Sequence, residues 1–431
     1  MDAANYKNQT FQNQIFKTED LSIELNCQGD TEYTKVSYPV KYGLFSRLET
    51  HEYIFEFNLN HEIRHAKSKK KSWIHPSEWL KRTMGNDWVY YSTGGYSGVY
   101  EALGEYYLPN LMYPTNSLLG GKPFNENEID QIVKNWHQII GQLPNTGLPD
   151  PVSQWIGAIK QQTPEGLHKK AQTLFDISGS RVTVMPPDAR HVDYNIIPLN
   201  ISDGCLYKCQ FCKIKNKKKY AVRSKQNIDR QIDQLKRLYG KDLINFNALF
   251  LGEHDALNAP CELILDTVQH AYNAFEFHAS MMKENYLFLF GSADSFLAAD
   301  KTLFETLNRM PFQTFINIGL ESYDQATLDM LGKPLSVKKV GQAFKKIRHI
   351  NDTFPNIEIT CNFVMDDTLP ASHYEAVMTL IRESVNRTKP KGSVYLSPLT
   401  FGSPSRQVLY DFYKLKALSR FPTFLYIIQR L

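Results

Sequence analysis

From about Tyr194 onward, short apolar runs alternate with segments in which apolar residues recur at helical spacing. Each run has the length of one buried strand, and each intervening segment can hold one helix. Six runs predict strands, at residues 194–201, 246–251, 286–290, 314–320, 357–365 and 392–396. Five segments predict helices, at residues 228–238, 262–275, 301–307, 337–350 and 374–384, and a last helix is expected after Ser405. Alternating strands and helices indicate βαβ units and therefore a parallel sheet.

This alternation predicts the fold class α/β, with a partial (β/α)6 barrel of the TIM type over residues 186–431. A flat, doubly wound sheet would give the same periodicity and is the competing architecture. Both architectures bind ligands at the carboxyl ends of their strands. The candidate site residues should therefore follow the predicted strands.

The first part of the chain has a different pattern, and 431 residues favour two domains. Residues 1–185 predict an α+β domain, with antiparallel strands at 23–25, 34–40 and 53–59 and helices at 126–140 and 164–175. Two consecutive prolines, Pro186 and Pro187, favour an extended path and mark the lead-in to the barrel. The presence of this domain suggests that it helps to close the site or to select the substrate.

The cysteines indicate a metal site in a reducing compartment. The chain has six of them: Cys27, Cys205, Cys209, Cys212, Cys261 and Cys361. Three are clustered and three are scattered, which is not the pattern of a secreted disulfide framework. The first residues contain no apolar core of a signal peptide, and no apolar stretch is long enough to span a bilayer. We expect a cytosolic protein without a membrane segment.

The clustered cysteines fall in the loop after the first predicted barrel strand. Iron–sulfur cubanes are usually held by four thiolates. Cys205, Cys209 and Cys212 have no fourth cysteine nearby, so one iron would keep an open position, as a catalytic site requires. A structural zinc site is the alternative, but zinc needs a fourth Cys or His at short spacing. His191 precedes the loop and is expected to lie across the strand.

The CxxxCxxC pattern, with Phe211 directly before its last cysteine, resembles the radical S-adenosylmethionine (SAM) superfamily. The resemblance covers roughly residues 188–431. It implies a [4Fe-4S] cluster and SAM as cofactors, with SAM chelating the open iron. One electron would cleave SAM and yield a 5′-deoxyadenosyl radical, which abstracts hydrogen from a substrate. The resemblance also implies an external one-electron reductant of the flavodoxin or ferredoxin type.

The resemblance assigns SAM contacts to the loop after the second strand. The superfamily has a Gly-Gly-Glu segment there, which binds the amino group of SAM. This chain keeps one glycine, Gly252, and the acidic role falls to Glu253 or Asp255. Asp294, after the third strand, could reach SAM or substrate, or could belong to a plain turn. Phe211, in the cysteine loop, is a further candidate for binding the cofactor.

Two further contacts resemble the branch that contains the oxygen-independent coproporphyrinogen dehydrogenases and the Elp3-like proteins. In that branch, groups at the positions of Glu321 and Lys333 contact SAM, and a cation there would neutralise its carboxylate. Asn362 matches a residue that binds the ribose. The glycines that usually follow are replaced here by Asp366 and Asp367.

Two basic stretches and one aromatic stretch allow more than one interpretation. Residues 213–225 and 64–71 are rich in lysine and arginine and could attract a phosphorylated or nucleic-acid substrate. Solvated faces are the favoured interpretation, because charge runs usually are. Residues 88–113 are rich in tyrosine, which suggests a substrate-facing lid or, preferably, an aromatic core or interdomain contact.

The sequence therefore predicts an enzyme that cleaves SAM reductively and abstracts hydrogen from an unidentified substrate. The scattered Cys27, Cys261 and Cys361 argue against an auxiliary cluster, and the first domain shows no cobalamin-binding fingerprint. The alternative from another class is a protein that binds the cluster and SAM without turnover, as a sensor or scaffold.

Overall fold

The computed structural model describes residues 13–33, 41–73, 78–92, 126–144, 147–212, 218–399, 406–426 and 430–431. The predicted strand at 34–40 lies outside the described residues. So do 213–217 of one basic stretch and most of the aromatic stretch, at 93–113.

The N-terminal unit is built on a seven-stranded antiparallel sheet in which neighbours in sequence are neighbours in space. Its strands are β1 Gln14–Lys17, β2 Leu21–Gln28, β3 Leu44–Thr50, β4 Tyr53–Phe57, β5 Ile63–Ser68, β6 Glu78–Arg82 and β7 Trp88–Ser92. The predicted strands at 23–25 and 53–59 correspond to β2 and β4, whereas the other strands were not predicted. The α+β class of this unit is confirmed.

Three helices cover one face of this sheet: α1 Glu126–Gly141, α2 Asp150–Lys160 and α3 Pro164–Ser178. The alternating apolar residues of β2, among them Ile23, pack in one core with Trp136 of α1 and Trp155 of α2. The helices predicted at 126–140 and 164–175 are present, and α2 was not predicted. The side chain of Thr163 caps α3, and Gly179 ends it in the left-handed conformation that favours glycine.

The second unit contains a seven-stranded parallel sheet. Its strands are β8 Ile197–Asn200, β11 Ala248–Gly252, β12 Tyr286–Gly291, β13 Gln313–Glu321, β14 Ile357–Met365, β15 Val394–Pro398 and β16 Thr423–Leu425. Two short segments, β9 Ser202–Asp203 and β10 Ala221–Val222, form a separate antiparallel pair.

The helices of the second unit cover its sheet on the outside. They are α4 Lys225–Tyr239, α5 Cys261–Ala274, α6 Ala293–Ala298, α7 Lys301–Leu307, α8 Gln325–Met330, α9 Val337–Thr353, α10 Ala371–Met378 and α11 Arg406–Leu418. All predicted helices of this unit are present, and α6 and α8 were not predicted. Within the described residues, no helix is long and apolar enough to cross a membrane.

The strand order separates the two architectures that the sequence left open. The parallel strands follow one another in chain order from β8 to β16, without the reversal that defines a doubly wound sheet. One face of the sheet packs on the helices, and the other carries a second cluster that includes Phe250, Phe288 and Phe315. The predicted partial barrel is confirmed, with all six predicted strands and a short seventh, β16.

Several contacts join the two units at the amino ends of the parallel strands. Asn245, which precedes β11, bonds to the backbone of Leu44, and Lys81 bonds to Asp193 ahead of β8. The end of α3 reaches the opposite edge, where the carbonyl of Ser178 accepts from Asn200 Nδ2 at 2.8 Å. The carboxyl ends of the strands therefore meet the N-terminal unit through the segment that follows α3.

Candidate active site

The cysteine loop is closed at its base by a short antiparallel pair. After β8 the chain forms β9, enters the loop, and returns as β10. Asp203 accepts two hydrogen bonds from Arg223, at 2.7 and 3.0 Å, across this base. Gly204 has a φ of 75°, and a β-carbon there would lie 2.7 Å from the carbonyl oxygen of Lys218. The loop therefore begins at a position that requires glycine.

The three thiols of the loop are all free. Cys209 is buried and the other two are half-buried. Burial raises the pKa of Cys205 to about 11 and also raises the pKa of Cys209, while the nearby Lys333 ammonium opposes both shifts. Bound metal would deprotonate such thiols, because thiolates are the ligands. Among the described residues, no group of three His, Cys, Asp or Glu side chains is arranged to hold one metal ion.

A buried ion pair lies beside these thiols. Lys333 Nζ is 3.1 Å from Glu321 Oε1 and 5.1 Å from the centre of the Tyr207 ring. Burial lowers the pKa of Lys333, but the Glu321 carboxylate and the thiol of Cys209 outweigh it, and the pKa is raised. Lys333 therefore stays charged in the interior. The structure brings Lys333 and Glu321 together with the cysteine loop, and their contact with SAM stays a prediction.

The turn that carries Lys333 also packs on the cysteine loop. The backbone N–H of Gln210 donates to the carbonyl of Leu331 at 3.0 Å. A β-carbon on Gly332, whose φ is 60°, would lie 2.6 Å from the Gln210 side chain. The turn and the loop thus touch through backbone at a glycine, which fixes the cation relative to the thiols.

Asp255, in the loop after β11, is fully buried. Its Oδ1 accepts from the backbone N–H of Ser292 at 2.8 Å and from the hydroxyl of Ser295 at 2.7 Å. Its Oδ2 has no hydrogen-bond partner among the described residues. Burial raises the pKa of Asp255, although the hydrogen bonds to its carboxylate oppose that shift. A buried polar atom without a partner is rare, and this one marks a place for a polar ligand.

Glu253 and Gly252 have other partners. Oε1 of Glu253 accepts from the hydroxyl of Ser180 at 3.0 Å and lies 3.6 Å from His254 Nε2. A β-carbon on Gly252 would lie 1.9 Å from Oδ1 of Asn200, on the neighbouring strand. Close packing of β8 against β11 is therefore one reason for the glycine.

Asp294 and Phe211 hold the cysteine loop. Oδ2 of Asp294 accepts from the hydroxyl of Tyr207 at 2.7 Å, and Oδ1 from Lys339 Nζ at 2.6 Å. Phe211 packs against a small apolar cluster that contains Leu331 and Val364. A direct contact of either residue with SAM stays a prediction.

Asn362 lies on β14, on the inner face of the barrel, and forms a reciprocal amide pair with Asn317 of β13. Asn362 Nδ2 donates to Asn317 Oδ1 at 2.8 Å, and Asn317 Nδ2 donates to Asn362 Oδ1 at 3.2 Å. Sequence reasoning missed Asn317. The available signal was an amide inside the apolar run at residues 315–320.

The described part of the basic stretches is largely paired. Lys69 lies 2.7 Å from Glu49, and Arg64 is buried with its guanidinium 4.2 Å from the ring centre of Tyr42. The exposed Lys69 and Lys71 agree with a solvated face, whereas the buried Arg64 does not. His191, weighed above as a zinc ligand, stacks on Phe315 at a centroid distance of 4.6 Å.

A sequence model of the radical SAM superfamily matches residues 199–378. The chain therefore contains a radical SAM domain. Radical SAM proteins are enzymes, and the family implies a [4Fe-4S] cluster and SAM. The predictions of the superfamily and of an enzyme are confirmed. A search of curated proteins gives no match.

Solved structures similar to this radical SAM chain include three distant ones. The cobalamin-dependent SAM radical enzyme OxsB with aqua-cobalamin bound shares 19% identity over 53% of this chain and 30% of its own, with a TM-score of 0.34. Methylornithine synthase PylB shares 12% identity over 61% of this chain and 71% of its own, with a TM-score of 0.35. Elp3 of the archaeon Methanocaldococcus infernus, with an N-terminal deletion, shares 13% over 45% of each chain, with a TM-score of 0.27. The match spans about a third of OxsB, and these likenesses assign neither a substrate nor a further cofactor.

Proposed function

We propose that this radical SAM enzyme cleaves SAM reductively at a [4Fe-4S] cluster held by Cys205, Cys209 and Cys212. The cleavage would start hydrogen abstraction from a substrate still to be identified. When bound, the cluster supplies the electron that splits the sulfonium into methionine and a 5′-deoxyadenosyl radical. The observation that carries the proposal is the convergence of three free thiols with the buried Lys333–Glu321 pair at the carboxyl end of the sheet.

The donor set suits a cluster with one open iron. Thiolates are the usual ligands of such clusters, and the loop supplies three. The other cysteines lie elsewhere: Cys27 in β2, Cys261 at the start of α5, and Cys361 in the core between sheet and helices. None of these three belongs to the loop, so SAM can take the remaining position.

We assign the amino group of SAM to Asp255 in preference to Glu253. Two hydrogen bonds hold one oxygen of Asp255, while the other has no partner among the described residues and can accept from an ammonium group. The Tyr220 hydroxyl, which is hydrogen-bonded to Ser202 and Asn258, lies close enough to Asp255 for that carboxylate to raise its pKa. Glu253 already accepts from Ser180.

Lys333 is the group that we assign to the carboxylate of SAM. It is a buried cation beside the thiols, where a charge-assisted hydrogen bond is strongest. Glu321 holds this cation in place at 3.1 Å. Asn362 would then meet the ribose, because its amide keeps one hydrogen and one lone pair beyond its pair with Asn317.

The N-terminal unit would contribute through the last residue of α3 and the segment that follows it. Ser178 and Ser180 contact Asn200 and Glu253 at the carboxyl end of the sheet. This segment is placed to exclude water from one side of the site. Selection of the substrate would fall to residues that are not yet assigned.

Anaerobic reconstitution tests the proposal directly. The purified chain is loaded with iron and sulfide and then given dithionite, which replaces the external one-electron donor, and SAM. Release of 5′-deoxyadenosine by the wild type, and its loss in Cys209→Ala, would support the proposal. A bound cluster and bound SAM without cleavage would refute it in favour of a sensor. Zinc in place of iron would refute it in favour of a structural site.

A further inference from the structure

A buried carboxylate lies at one end of a hydrogen-bonded chain inside the barrel. Asp188 belongs to a short 3₁₀ turn, Pro187–His191, that precedes β8, and it is fully buried. Its Oδ2 accepts from the hydroxyl of Thr360 at 2.8 Å, and its Oδ1 accepts from the hydroxyl of Tyr395 at 2.7 Å. An ionised carboxylate can only accept hydrogen bonds. Both hydroxyl protons therefore point towards Asp188.

Because Asp188 accepts from Thr360, it also sets the direction of the hydrogen bond between Thr360 and Asn317. The only hydroxyl proton of Thr360 is directed at Asp188, so its oxygen must accept from its other neighbour. That neighbour is Asn317, whose Nδ2 lies 2.9 Å from Thr360 Oγ1. The nitrogen of the Asn317 amide therefore faces Thr360. The opposite orientation would place two acceptors against each other.

The orientation of the Asn317 amide in turn fixes the orientation of the Asn362 amide. Asn317 Nδ2 gives its second hydrogen to Asn362 Oδ1, and Asn317 Oδ1 accepts from Asn362 Nδ2. If both amides turned over together, their two mutual bonds would be preserved. The pair alone has no preferred orientation, and among the hydrogen bonds of the described residues only the one with Thr360 distinguishes the two.

We propose that Asp188, acting through Thr360 and Asn317, is a positioning group that fixes which edge of the Asn362 amide donates and which accepts. This inference rests on the proposed function, because it takes Asn362 as the contact for the ribose of SAM. A diol held by one donor and one acceptor depends on their order. Asp188 would thus influence SAM binding from the far side of the amide pair without touching SAM.

Two substitutions at Thr360 separate positioning from structure. Thr360→Val keeps the shape but removes both the donor and the acceptor, whereas Thr360→Ser keeps the hydroxyl. The affinity of the reconstituted holoenzyme for SAM is measured anaerobically at about pH 8. Burial raises the pKa of Asp188 to about 7, so the carboxylate is mostly ionised there. We expect SAM to bind about tenfold more weakly to Thr360→Val and within about twofold of wild type to Thr360→Ser.

An Asn362→Ala background supplies the decisive comparison. If Thr360 acts through Asn362, the loss caused by Thr360→Val disappears when Asn362 is alanine, since the two changes then share one effect. Iron content and thermal unfolding verify that each variant is folded and loaded. Should Thr360→Val fold poorly, Asp188→Asn takes its place. The new amide can donate to Thr360, so that the Thr360 hydroxyl no longer has to accept from Asn317.

Three results would overturn the inference: wild-type affinity in Thr360→Val, equal losses in the valine and serine variants, or a loss that persists undiminished with Asn362→Ala. Wild-type affinity in Asn362→Ala alone would remove its premise and overturn it as well. The proposed function is judged separately, by 5′-deoxyadenosine from the wild type. Holoenzyme that binds SAM without cleaving it would refute that function, while the affinities would still decide whether Asp188 orients Asn362.

Discussion

Replacement of Asp255 by asparagine tests the assignment of the SAM amino group. Asparagine keeps the size of the side chain. With its oxygen in the Oδ1 position, it also keeps the bonds from Ser292 and Ser295, at 2.8 and 2.7 Å. The change is then confined to Oδ2, which has no partner in the described structure. There, an N–H donor replaces an acceptor and would face the hydrogens of the ammonium group.

The expected loss follows from the burial of Asp255. A hydrogen bond to a charged group contributes about 1.5–3 kcal/mol, which corresponds to a factor of about 10 to 150 in the dissociation constant. Asp255 is fully buried, and electrostatic interactions are stronger at low dielectric, so the upper part of this range applies. We expect SAM to bind about 100-fold more weakly to Asp255→Asn.

Glu253→Gln is the matched control, two residues away. Glu253 accepts from Ser180, and glutamine can keep that bond. We expect SAM affinity within about threefold of wild type. The assay is anaerobic equilibrium binding, together with the rate of 5′-deoxyadenosine release at several SAM concentrations. An equal loss in both variants, or near wild-type binding by Asp255→Asn, would refute the reasoning.

Three further predictions concern Lys333, Gly252 and Asp188. Lys333→Met should weaken SAM binding at least about tenfold in the same assay, because it removes the cation and leaves a buried carboxylate unpaired. Gly252→Ala should lower the melting temperature, since its β-carbon would lie 1.9 Å from the Asn200 side chain, whereas Gly157→Ala, on an exposed helical site with free space, should raise it slightly. Burial raises the pKa of Asp188 to about 7, above the 3.8 expected when unfolded, so its contribution to stability is present at low pH and is lost as the pH rises from about 4 to 7. In urea unfolding, the free energy of unfolding of Asp188→Asn should therefore rise relative to that of wild type over this pH range, by up to about 4 kcal/mol.

The parallel sheet could be predicted from sequence because its strands are continuously apolar. β11 is the run ALFLG and is buried along its whole length. Such runs occur when both faces of a strand are covered, and they do not depend on any distant partner. The short β16 was not predicted, although its sequence is apolar, because three residues give no periodicity.

β5 was not predicted, because charged and polar residues occupy buried positions in it. Arg64 and His65 are both buried in β5, where His65 lies 3.1 Å from Glu56 of β4. On sequence alone such residues indicate an exposed face. Only cross-strand pairing makes their burial tolerable, and that pairing depends on the register of the folded sheet.

Some residues of the candidate site could likewise be identified from sequence, and others could not. Cys205, Cys209 and Cys212 are recognisable because three ligands fall in one loop, whereas the choice between Glu253 and Asp255 required their partners. Asp188 and Thr360 are 172 positions apart, and no local pattern links them.

The charges around the cysteine loop match the two ends of an amino acid. Lys333, on the turn after α8, offers a buried cation, and Asp255, in the loop after β11, offers a buried oxygen that has no partner in the described part of the chain. Both influence the pKa of Cys205, so both lie close to the thiols. An amino acid placed with its ammonium towards Asp255 and its carboxylate towards Lys333 is attracted at both ends, while the reversed placement is repelled at both. If SAM binds as proposed, the opposite charges would specify the direction of its methionine part, and a single substitution at either end would leave the other to hold it.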